Sequence, residues 1–121
     1  MSKQIKDNYE LRDVCRSAGL SFIGSFMGEF LDKRDIWSNP DTKKQFIAYM
    51  YSQYAQSGWD NDITGTRIRV NCVIRIIESN KVLEALNLVL EANDNKLGCP
   101  ESKINARFIL DGLKNGSYKL N

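Results

Sequence analysis

Histidine is absent from the 121 residues. Its absence removes the commonest general acid/base, the imidazole that activates serine or cysteine nucleophiles, and most zinc and iron sites. Cysteine is scarce. The three present, Cys15, Cys72 and Cys99, are an odd number without short spacing, which suits free thiols in a reducing cytosol better than a disulfide framework. Long apolar runs are also missing. No segment approaches the roughly 20 apolar residues of a spanning helix, and the opening MSKQIKDNYELRD has no signal-peptide core. The expected location is therefore cytoplasmic, without membrane contact. Net charge is only +2, so attraction to a polyanion has to come from local clustering.

At 42% hydrophobic and 26% charged residues, the chain lies well away from the compositions that stay disordered, and its length is that of one domain. Residues 1–7 read as a flexible tail and 8–121 as a single helical domain. From Asn8, Leu11, Cys15, Phe22, Phe26 and Phe30 fall on one side of a helical pattern, with Ile23 and Met27 beside them. SAGLSFIGSFMG, Ser17 to Gly28, is uncharged, and Ser17, Ala18, Ser21, Gly24, Ser25 and Gly28 collect opposite the bulky side. Each glycine gives up about 1 kcal/mol of helix propensity against alanine, and close approach of another helix offsets that loss. The neighbour is either a helix of the same chain or, through the small-xxx-small spacing of Gly24 and Gly28, a second copy.

In SNPDTKKQF, Ser38 or Asn39 can cap, Pro40 suits the first helical position and Asp41 complements the helix dipole. A helix is expected from there to about Gln56, stopped by Gly58. Phe46, Ile47, Met50 and Tyr54 share its inner face, which leaves Tyr49 as a candidate exposed aromatic. Further on, Val82, Leu83, Leu86, Val89 and Leu90 form an amphipathic helix with Asn80 as its expected cap. A last helix starts near Pro100, carries Ile104, Phe108 and Leu110 or Asp111, and ends before Gly116. The fold class is mainly α, a compact bundle of about five helices, with a short strand over residues 66–71 as the alternative for one segment.

That segment is DITGTRIRVNCVIRIIESN, Asp62 to Asn80, with Arg67, Arg69 and Arg75 and no acid between Asp62 and Glu78. As a strand, Ile68, Val70, Cys72, Ile74 and Ile76 point one way, while Arg67, Arg69, Asn71 and Arg75 point the other. As a helix, Arg67, Asn71, Arg75 and Glu78 form a polar stripe, and Arg69 lands inside a wide apolar arc. No other segment offers a partner strand, and a lone strand leaves its backbone groups unpaired. TRIRVN followed by two helices resembles the ribbon-helix-helix family of DNA-binding proteins over Thr66 to Ala92. That resemblance implies a dimer whose paired strands place Arg67, Arg69 and Asn71 against bases.

In the helical reading Gly65 and Thr66 present N–H groups at the helix start, with Arg67 beside them, a combination that attracts phosphate. Arg69 needs an acid, a partner chain or an anionic ligand, because a lone buried charge is costly; Asp60, Asp62 and Glu78 are the internal candidates. DNDITG matches the start of a calcium-binding loop at Asp60, Asp62, Thr64 and Gly65, but Arg67 and Asn71 stand where a hydrophobic residue and a bidentate Glu belong. Cys99, just before the last helix, lacks the base a nucleophile there would need. No carboxylate pair, P-loop or dinucleotide fingerprint stands out.

The expectation is a small non-enzymatic, cofactor-free binding or regulatory module, homodimeric, engaging nucleic acid or a nucleotide through Gly65, Thr66, Arg67, Arg69, Asn71, Arg75 and Tyr49. The alternative is a protein-binding adaptor or inhibitor, of a size suited to phages and mobile elements. The ribbon-helix-helix dimer is a second alternative.

Overall fold

The computed structural model describes residues 4–55, 62–93, 95 and 100–118. Among them lie seven helices: α1 Asn8–Ala18, α2 Leu20–Asp32, α3 Arg34–Trp37, α4 Pro40–Ala55, α5 Ile63–Glu78, α6 Val82–Glu91 and α7 Pro100–Asn115. Five were expected. The expected first helix, traced from Asn8 to Phe30, is two helices broken at Gly19, and the single turn α3 that follows Lys33 is additional. Gly19 takes φ +90°, a left-handed value that L side chains rarely adopt. Its N–H donates to the Cys15 carbonyl at 2.8 Å and closes α1. Lys33, at φ −111° and ψ 29°, ends α2, and the single turn of α3 follows. There Trp37 is buried, its Nε1 donating to the Phe30 carbonyl at 2.7 Å.

Other ends follow local chemistry. Asp7 caps α1 by accepting the Glu10 N–H at 2.8 Å, and Asn39 caps α4 by accepting the Asp41 N–H at 2.9 Å. Asn80 does not cap α6. It ends α5 at φ 58°, its own N–H on the Ile77 carbonyl and the Lys81 N–H on the Ile76 carbonyl, both at 3.0 Å. These two bonds make a Schellman stop with asparagine in the left-handed position. Ahead of α1, Ile5 is buried and its N–H donates to Ser79 Oγ at 2.9 Å.

α2 is the axis of the bundle, touching α1, α3, α5, α6 and α7. Its bulky side enters the core, where Phe22 and Phe30 pack at 6.0 Å and Phe30 meets Phe46 of α4 edge-on at 5.0 Å. Its small strip receives α7 of the same chain. A Cβ on Gly24 would lie 2.7 Å from the Ser102 carbonyl oxygen and 3.0 Å from Val89 Cγ1. Ser102 Oγ donates to the Ser21 carbonyl at 3.2 Å and lies 3.2 Å from Ser25 Oγ. The close approach expected of the strip is therefore made inside the monomer.

Residues 66–71 lie within α5, so the alternative of a short strand there is corrected to helix, and the ribbon-helix-helix likeness loses the strand it depends on. The described residues contain no strand. Helix wins because its inner side buries Thr66, Val70, Val73, Ile74, Ile76 and Ile77 in one core, whereas a lone strand would leave its backbone unpaired. No helix among the described residues is long and apolar enough to cross a membrane.

Candidate functional site: the outer face of α5

α5 packs chiefly against α1 and α4 and also touches α2 and α6. It starts at Asp62, whose carboxylate accepts the Thr64 N–H at 2.8 Å, while the Gly65 N–H goes to the Asp62 carbonyl at 3.1 Å. Bonds from Thr64, with Arg67 nearby, hold the Asp62 carboxyl below its ordinary value. The expected anion seat at the start of α5 thus carries the chain's own carboxylate. Gly65 is half-buried there, and Thr66 is fully buried. Asp62, Thr64 and Gly65 are committed to starting a helix rather than a calcium loop; Asp60 falls outside the described residues.

The three arginines have three different situations. Arg69 is half-buried, and its Nη1 donates to the Ala18 carbonyl at 2.6 Å. That carbonyl belongs to the last turn of α1, where oxygens lack helical partners and the dipole end is negative. Arg69 therefore closes α1 at the break, and a Cβ on Gly19 would sit 2.6 Å from the same nitrogen. Arg75 pairs with the Glu10 carboxylate of α1, both side chains about one quarter exposed. Arg67 points outward with Thr64, Ile68 and Asn71. Spacings of three and four residues put these four on one stripe.

Tyr49, on α4, is 38% exposed and lies beneath the Lys33 ammonium, 4.7 Å from the ring centroid. Lys33 also donates to Glu29 at 2.6 Å. The expected site residues are thus divided. Arg67 and Asn71 share the stripe, Gly65 and Thr66 begin the helix, Arg69 and Arg75 tie α5 to α1, and Tyr49 joins the corner between α2 and α3.

Cys15 is buried, and burial, then the neighbouring Cys72 thiol, pushes its pKa up to about 12, so it stays a thiol at neutral pH. Burial also raises Cys72. Cys99 lies outside the described residues. Among the described residues every buried side-chain nitrogen and oxygen has a hydrogen-bond partner, so none is left aimed at a ligand. A groove of about 220 Å³ between α1 and α6 is lined in part by Arg12, Glu84, Asn87 and Glu91, whose opposite charges share the space.

Exposed apolar residues that the sequence pattern did not mark as surface are Tyr9, Ile68, Leu83 and, on α7, Ile104 and Phe108, the last two 67% and 65% exposed. The signal for these two was Ser102 and Ala106, small side chains one turn apart on the opposite side, which face the small strip of α2. No protein-family model, no curated protein and no solved structure matches the chain.

Proposed function

We propose that the chain is a non-enzymatic protein-docking module whose contact stripe is Thr64, Arg67, Ile68 and Asn71 on α5. The observation that carries this reading is Ile68, which stands 53% exposed in the middle of a polar stripe, beside Arg67. An apolar side chain flanked by one guanidinium and one amide fits a partner that presents an apolar residue next to a carboxylate. Arg75 is paired with Glu10, and Arg69 is turned onto the Ala18 carbonyl, so neither joins the exposed stripe. Along α1, Glu10 pairs with Arg75 and Asp13 with Arg16, so this helix adds no net positive charge beside the stripe. A polyanion needs several phosphate contacts for useful affinity, and this stripe offers one exposed arginine.

A second reading, direct contact with nucleic acid, is favoured by Arg67 and Asn71 standing one turn apart on an exposed helix, side chains suited to guanine and adenine edges. One experiment separates the two. With a photo-crosslinker at Asn71 in its native cells, the docking reading expects one discrete protein adduct. Ile68→Asp should remove it while shifting the melting temperature by no more than about 2 °C. A nucleic-acid adduct, or a protein adduct indifferent to both Ile68→Asp and Arg67→Glu, overturns the proposal.

A further inference from the structure

The inner side of α7 is built from Ser102, Ala106 and Ile109, buried against α2 and α6, while Gly112 is covered by the Tyr118 ring. Small residues face inward, so the larger Ile104 and Phe108 face outward, one turn apart. Among the described residues the Phe108 ring meets one other aromatic ring, that of Tyr118, edge-on with centroids 6.1 Å apart at 82°. Arg107 and Asp111 flank this ridge, both exposed and neither in a salt bridge with another described residue. Opposite charges four residues apart beside an apolar centre make a self-complementary surface. In a two-fold contact, residue i of one copy meets j of the other and j meets i. Two α7 helices laid antiparallel, with the axis level with residues 108 and 109, bring Phe108 of each copy onto Phe108 of the other. Arg107 of each then lies within about one residue's rise, ~1.5 Å, of Asp111 of the other, on the same side of the seam.

We infer that α7 is a homodimerisation face, its occupant a second copy of this chain. α7 packs on α2 and α6, whereas α5 packs chiefly on α1 and α4, so this inference does not rest on the docking role of the α5 stripe. One helix per copy buries less than the ~1,200 Å² of a standard interface, so dissociation falls in the micromolar range, roughly 1 to 100 µM.

Sedimentation of the full chain across that range reads the monomer–dimer equilibrium directly. Wild type should shift from monomer to dimer with concentration, and Phe108→Asp should stay monomeric with an unchanged far-UV circular dichroism spectrum. Arg107→Asp and Asp111→Arg should each weaken the dimer about tenfold or more, and the double variant should return to within about threefold of wild type. A wild-type chain that is monomeric throughout overturns the inference and leaves the face to a different protein. So does a dimer that survives Phe108→Asp, or a double variant no tighter than the single ones.

Discussion

Arg69 shows how a single residue can read as a binding group and act as a structural one. A guanidinium on an apolar arc needs a partner, and its partner is the Ala18 carbonyl, 51 positions earlier in the chain and 2.6 Å away. No spacing within DITGTRIRVN reveals that oxygen, which exists as an acceptor only because α1 ends there. Arg67, two residues before, meets solvent. The two should therefore differ sharply on substitution. Arg69→Ala strands the carbonyl at the α1–α2 break and should lower stability by about 1 to 2 kcal/mol, the worth of a hydrogen bond to a charged donor discounted for partial exposure. Arg67→Ala should change it by less than about 0.5 kcal/mol. Urea midpoints at unchanged slope measure both; equal effects would remove the capping role from Arg69.

Among elements, the α2–α7 seam decides how the bundle closes, and its two glycines respond to different limits. Alanine at either gains about 1 kcal/mol of helix propensity. At Gly24 the new methyl meets the Ser102 backbone at 2.7 Å, and forcing the helices apart costs about 1 to 3 kcal/mol, so Gly24→Ala should destabilise. At Gly28 the nearest atom is Ile109 Cδ1 at 3.1 Å, the far end of a flexible side chain. Gly28→Ala should be neutral or mildly stabilising, and chemical denaturation should place it clearly above Gly24→Ala in stability. Half of this seam was legible: glycine and serine at helical spacing in α2 announce a close neighbour. The matching strip of α7 was hidden behind Ile104 and Phe108, whose hydrophobicity draws the eye to the wrong side. The break at Gly19 was hidden as well, because a glycine inside an apolar helical pattern is ordinarily tolerated. The alternation from Arg67 to Ile76 was a true local pattern overruled by burial, since only a helix sends Val70, Val73, Ile74 and Ile77 into one core.

For the molecule as a whole, the chain is drawn in from both ends of the described residues. Ile5 is buried with its N–H on Ser79, while Tyr118 donates its N–H to the Gly112 carbonyl at 3.0 Å and lays its ring over Gly112. Folding also removes ionisable groups from water and so couples global stability to alkaline pH. Burial raises Cys15 from 9.0 to about 12, and also raises Tyr118, whose neighbours Asp32 and Glu29 add to the shift. The sign is fixed by the direction: a group whose folded pKa exceeds its unfolded pKa binds its proton more tightly when folded. For Cys15 that stabilisation is complete below pH 9.0. Above it, the unfolded chain ionises while the folded one stays neutral, and stability falls with each unit until about pH 12. Cys15→Ala removes this thiol while leaving Tyr118 in place. The variant should be less stable at neutral pH, from the lost packing of a buried side chain, but should lose less stability than wild type as pH rises above 9.0. Guanidinium titrations at neutral pH and at two values above 9.0 test this. Parallel losses in the two proteins would mean that the Cys15 thiol ionises as readily in the fold as out of it, and that another group carries the alkaline limb.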